Sequence, residues 1–138
     1  MTTPPLWLDR ETMRRLGYRT IDALVDRLSR PWDASPIVRT LAPEELAGRI
    51  GEPAPEAPHD LGSLLERLER DVLPFMARNE HPGYFAYIPG CGTWPGALGD
   101  LVTSALNLDV GSWSLSAGPS AIELAVLDWF KDLIGYPS

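Results

Sequence analysis

The sequence predicts an all-α chain, and three features of it carry that reading. Apolar residues recur at helical spacing in several separate stretches, helix-capping residues and prolines bracket those stretches, and no convincing run of alternating residues suggests a strand. With 138 residues, 44% hydrophobic and 22% charged, the composition is that of an ordinary globular protein of one domain.

The first helix is predicted over residues 9–29. Met13, Leu16, Thr20, Ile21, Leu24, Val25 and Leu28 form its apolar stripe, with Asp9 as N-cap and Pro31 as its stop. Trp7 and Leu8 add apolar surface ahead of it. Residues 31–58 are proline-rich and mostly irregular. Inside them Pro43-Glu44-Glu45-Leu46 starts a short helix, because proline suits the first turn and acids suit the positive end of the helix dipole. Residues 51–58, with three prolines, are read as extended and lying on a surface, with a second subunit's as one candidate.

A further helix is expected over residues 60–73, with Leu61, Leu64, Leu65, Leu68 and Val72 on one face and Pro74 at its end. Residues 81–92 are aromatic and apolar but broken by prolines and glycines, and read as an ordered loop. Thr93 caps a helix running to Leu106, closed by Asn107, and residues 109–118 form a second irregular connection. The last helix is expected over residues 119–134, apolar on most sides and stopped by Gly135 and Pro137. Four main helices and a short one result, with more apolar surface than they can hide among themselves. Another domain or a partner chain is therefore expected to cover them.

Charge and motifs exclude several functions. A net charge of −7 opposes binding to nucleic acid. No apolar run is long enough for a membrane span, and Met1-Thr2-Thr3-Pro4-Pro5 shows no secretory signal. The single cysteine, Cys91, fits a reducing cytoplasm and is read as buried or half-buried. His59 and His81 have no partners at metal-ligand spacing, and Glu123 and Asp128 fall on different helix faces. His81, just before a proline, is read as a structural hydrogen-bond partner ahead of a pocket residue. Gly90 and Gly92 follow no strand and make no dinucleotide loop. Eleven of the twelve basic residues are arginine, so Lys131 is the one candidate for a Schiff base.

The ordered set His81-Pro82-Gly83-Tyr84-Phe85-Ala86-Tyr87-Ile88-Pro89, Leu98-Gly99-Asp100, Asn107, Gly111-Ser112-Trp113-Ser114 and Glu123 to Trp129 resembles the amino-terminal region of group II pyridoxal-phosphate decarboxylases. Those include the aromatic-L-amino-acid, tyrosine, tryptophan and histidine decarboxylases. The resemblance runs in order along residues 1–138. It implies the amino-terminal helical segment of a pyridoxal-phosphate-dependent type I transferase fold, which contributes dimerisation surface and substrate-pocket loops.

Carried over position by position, the resemblance places Tyr87, Pro89 and, less firmly matched, Gly90 on the substrate side. Gly90 stands where aromatic-L-amino-acid decarboxylases commonly carry a threonine near the substrate carboxylate. Gly111, in a loop that resembles one reaching the neighbouring subunit's pocket, stands where they often carry a bulky aromatic. The substrate is accordingly read only as an L-amino acid. Pyridoxal 5'-phosphate is implied for the complete enzyme, whereas Lys131 matches no cofactor lysine, so this chain alone is expected to bind none and to be inactive. The partner is expected to be a second copy or a separately encoded cofactor-domain chain. A truncated or naturally split decarboxylase is the preferred reading; the alternative is a non-enzymatic helical interaction module derived from such an enzyme.

Overall fold

A computed structural model describes residues 7–137, which places the reading of Met1 to Pro5 outside the described residues. Helix α1 (Arg10–Leu28) begins where Asp9 sets it: Asp9 Oδ1 accepts the backbone N–H groups of Glu11 and Thr12, each at 2.9 Å. Its other oxygen, Oδ2, accepts the Thr12 hydroxyl at 2.7 Å. Ser29 closes the helix two residues before Pro31. Helix α2 (Pro43–Ile50) starts on its proline, as predicted, and continues one turn past Leu46. The segment after it stays extended from Gly51. Arg67 anchors it there by donating to the Ile50 carbonyl at 2.6 Å and pairing with Glu52 at 2.6 Å.

Helix α3 (Leu61–Arg67) is capped by Asp60, which accepts the Ser63 N–H at 2.8 Å. It ends sooner as an α-helix than its leucine spacing predicts. Residues Leu68–Val72 widen into a π-turn, with the Leu73 N–H reaching the Leu68 carbonyl, and Leu73–Phe75 tighten into a 3-10 turn. Pro74 explains the change: it has no N–H to donate, and its ring crowds the carbonyl four residues earlier. The carbonyls on either side of it are taken by Arg27 of α1, which donates to Leu73 O at 2.9 Å and Met76 O at 3.0 Å. Arg19 also ties α1 to this stretch through Glu66 at 3.3 Å and Glu69 at 3.6 Å.

Helix α4 (Trp94–Leu106) has its predicted caps: Thr93 Oγ1 accepts the Gly96 N–H at 3.2 Å, and Asn107 adopts a left-handed conformation at φ 48°. Asparagine tolerates that region better than most residues. Helix α5 (Trp113–Ile134) starts six residues before the predicted position, so the connection expected over 109–118 is shorter. Ser116, at φ −143° and ψ 48°, breaks it into a short turn and a long helix. Pro119 then sits in the first turn of the long part, where its missing N–H is tolerated. Gly135 ends the helix at φ 67°, a conformation glycine adopts without strain.

Among the described residues there is no strand and no buried hydrophobic side chain. No described helix is long and apolar enough to cross a membrane. The chain divides into two units, one up to Cys91 and one from Gly92. In the first, Leu16, Thr20, Leu61, Leu64, Leu65 and Leu68 line an open apolar groove along α1 and α3. In the second, Val126, Trp129, Phe130 and Leu133 line an apolar hollow on α5. The excess of apolar surface expected from the sequence is present in both units.

The two aspartate caps carry a pH dependence. Asp9 is held below the usual aspartate range by the Thr12 hydroxyl and then the Thr12 N–H; Asp60 by the Ser63 N–H and then its hydroxyl. A depressed folded-state value means that this stability is complete above the unfolded-state pKa of about 3.9 and lost as pH falls through the lower folded value. Helical circular dichroism is expected to fall in that acidic window and to fall less in D9N/D60N, whose amides cap without titrating. Superimposable acid curves for the two chains would remove the caps from the account.

Candidate functional site

The loop over residues 81–92 is built on His81. Its Nδ1 accepts the Gly83 N–H at 2.9 Å, which leaves Nε2 to donate to the Trp32 carbonyl at 3.1 Å. The Trp32 ring stands edge-on to the imidazole, with centroids 5.3 Å apart. Both ring nitrogens are thus occupied within the chain, and His81 has the structural role the sequence favoured. Gly83 fits because a Cβ there would lie 3.1 Å from Ile37 Cδ1 and 3.2 Å from His81 Nδ1.

Beneath the loop lies Arg78, only 3% exposed, which sequence reasoning did not single out. Its guanidinium donates to the carbonyls of Arg30 at 3.3 Å and Pro31 at 3.4 Å, to Ser35 Oγ at 3.3 Å and to Glu80 at 3.2 Å. It also lies 5.4 Å from the Trp32 ring centroid. Its backbone N–H donates to Ile37 O at 2.9 Å. One residue therefore fastens the start of the loop to the segment after α1.

Past this anchor the loop turns outward. Phe85 is 91% exposed, Tyr87 93% and Ile88 fully exposed. Tyr87 also has φ 61°, a left-handed conformation that costs a bulky L-residue about 1–2 kcal/mol. Pro89 and Gly90 follow, both exposed. Open space surrounds Gly90 at the place where a Cβ would stand, so nothing in this chain requires glycine there. Tyr87, Pro89 and Gly90 thus form one contiguous, outward-facing strip. Cys91, next to it, is exposed, which corrects the buried or half-buried placement read from its side-chain type. A loop that leaves the surface gives its small residues nothing to pack on.

The turn at residues 109–112 belongs to the second unit. Asp109 Oδ1 accepts the Gly111 N–H at 2.8 Å, and a Cβ on Gly111 would lie 3.0 Å from that oxygen. Ser120, buried at the start of the long part of α5, donates to the Val110 carbonyl at 3.3 Å and fixes the turn.

The residues present do not fit pyridoxal phosphate. Lys131 Nζ is paired with Asp128 at 2.9 Å on the surface of α5, and the hollow on that helix is lined by the apolar Val126, Trp129, Phe130 and Leu133, with no carboxylate or phosphate cradle among them. Asp128 is thereby engaged with Lys131, which leaves no carboxylate pair with Glu123. No group of three or more metal-ligating side chains occurs among the described residues.

Comparison with known proteins gives this geometry its context. The chain is 31% identical over 132 residues to aromatic-L-amino-acid decarboxylase of Bacillus atrophaeus, covering 96% of this chain and 27% of that one. It is 30% identical over 131 residues to tryptophan decarboxylase 2 of Oryza sativa subsp. japonica, covering 95% and 26%. Among solved structures, Catharanthus roseus tryptophan decarboxylase in complex with L-tryptophan superposes with a TM-score of 0.80 at 26% identity, over 98% of this chain and 28% of that one. Oryza sativa TDC with PLP and tryptamine superposes at 0.82 and 23% identity, over 99% and 27%, a likeness of fold. The chain spans about a quarter of the length of the curated relatives it matches. Residues 43–138 match the family model of the pyridoxal-dependent decarboxylase conserved domain. With more than half its length inside that match and its all-helical fold shared with a stretch of those enzymes, the chain belongs to the pyridoxal-dependent decarboxylase family, as an amino-terminal portion of it.

Proposed function

We propose that this chain supplies the substrate-side loop and a helical docking surface to an L-amino-acid decarboxylase, whose reaction converts the amino acid to an amine and carbon dioxide. The observation that carries the reading is the strip at residues 85–90, where aromatic side chains and a strained Tyr87 point away from the chain that holds them. Strain of that kind persists where surrounding structure enforces it and clusters at ligand-binding sites. Tyr87 and Pro89 would shape the substrate side, proline stiffening the strip and tyrosine offering an aromatic face, while Gly90 leaves room beside them. Pyridoxal phosphate would be held by the rest of the enzyme, since these residues make no site for it.

The helices supply the second half of the reading. Covering an exposed side chain such as Trp129, Phe130 or Leu133 contributes about 1.5–3 kcal/mol, and the groove on the first unit offers a row of leucines as well. The partner is a second copy or a cofactor-bearing chain. A reducing cytoplasm suits the assembly, because the exposed Cys91 thiol would stay free there.

Mixing the chain with the separately expressed cofactor domain of a related decarboxylase is expected to restore amine release, measured by chromatography across a panel of L-amino acids. Binding without amine release would support the rival reading, a helical interaction module with no part in catalysis. Absence of binding would defeat both.

A further inference from the structure

The first unit holds a concentration of positive charge that the decarboxylase reading does not use. Arg27, Arg30, Arg39 and Arg78 line one cavity of about 50 Å³, together with Ser35 and an apolar margin of Pro36, Pro74 and Met76. No carboxylate lines it, although the chain as a whole carries a net charge of −7. The acids Asp26 and Glu69 line the neighbouring cleft, which shares Arg27 and Arg30. Of the four arginines, only Arg78 has an ion-pair partner among the described residues, Glu80.

Two of these guanidinium groups are fixed in place. Arg27 is held by the carbonyls of Leu73 and Met76, and Arg78 by those of Arg30 and Pro31, by Ser35 and by the Glu80 carboxylate. Carbonyl partners orient Arg27 without neutralising it and leave it N–H groups to spare, whereas Glu80 offsets the charge of Arg78. Arg30 and Arg39 are exposed, and their side chains make no hydrogen bond to the described residues. A fixed pair beside a free pair, with a hydroxyl in the same wall, is an arrangement suited to an anion with several acceptor oxygens. The cavity volume fits a group of a few heavy atoms rather than a large ligand.

We propose that this cavity binds a single phosphate group. The dianion offsets more of the local charge than a carboxylate can, and its oxygens reach donors in several directions. The site lies wholly within the first unit and is independent of whether the chain serves a decarboxylase.

Inorganic phosphate is titrated into the full chain while arginine Nε–Hε signals are followed by NMR, with sodium chloride holding ionic strength constant. Saturable shifts of Arg27 and of Arg30 or Arg39 are expected by about 10 mM phosphate. R30Q/R39Q should weaken binding by about tenfold or more with helical circular dichroism unchanged, because neither side chain holds the fold together. R10Q/R15Q removes the same charge from the far end of α1 and should leave the phosphate affinity as it was. Acetate at equal ionic strength should bind more weakly than phosphate. The site is overturned by an unsaturating response, by acetate or chloride shifting the same signals equally, or by R10Q/R15Q weakening phosphate as much as R30Q/R39Q does.

Discussion

Replacing Arg78 with methionine is expected to destabilise the first unit by about 3 kcal/mol, measured by urea unfolding followed by tryptophan fluorescence and circular dichroism. The size follows from what methionine leaves behind. Arg78 is 3% exposed and gathers two carbonyls, a hydroxyl, the Glu80 carboxylate and the Trp32 ring around one guanidinium. Methionine fills similar volume but donates nothing, so the carbonyls of Arg30 and Pro31 and the Glu80 carboxylate lose their donor together. Removing one member of a buried charged set costs about 3–5 kcal/mol. The lower end applies, since these contacts run from 3.2 to 3.4 Å and Glu80 remains partly solvated. R78K should fall between the two, keeping the charge but losing the fork that reaches several acceptors at once. R14Q, on the exposed side of α1, is the control and should change little. A loss under about 0.5 kcal/mol for R78M would mean that the loop is held by something other than this residue.

Arg78 also marks the boundary of what could be read from the sequence. Caps are local, so Asp9, Thr93 and Asn107 each declared a helix end from a few neighbouring residues, and the structure places an end at every one. The helix ahead of Pro74 was legible as a helix but not as one that widens and then tightens. Pro74 alters its last turns, and Arg27, 46 residues from Leu73 in the chain, meets the Leu73 carbonyl there. Likewise Ser116 resets the geometry of α5 and makes Pro119 compatible with a longer helix than periodicity suggested. Cys91 was misplaced because small-residue statistics favour burial and carry no knowledge of where a loop points.

For the candidate site, the sequence resemblance pointed to Tyr87, Pro89 and Gly90, but no pattern announced the backbone conformation of Tyr87. The arginine cavity went unseen for a different reason. Its four residues are spread from Arg27 to Arg78, and only the fold brings them to one wall. The excess of arginine over lysine was the sole signal available, and composition cannot say where a charge lies.

Tyr87→Gly separates the two things that a strained residue can be, and in an assembled decarboxylase it is expected to lower kcat/KM by about 10- to 100-fold while leaving stability within about 1 kcal/mol. Glycine adopts φ 61° without the penalty that tyrosine bears, but it loses more freedom on folding, so the two backbone effects largely cancel. The side chain is 93% exposed in this chain and contributes little packing here. Any large loss on its removal must therefore arise where the loop meets substrate or a second polypeptide. Y87N refines the comparison, because asparagine also tolerates the left-handed region yet offers no aromatic face. If it matches Y87G in activity, the ring is what matters. Y87F tests the hydroxyl by itself. Were Y87G to retain full activity and gain stability, the strain would be an accident of a tight turn and Tyr87 would have no place on the substrate side. A fall in activity without a fall in stability is the combination that structural damage does not produce, and it would fix the purpose of the outward-facing strip.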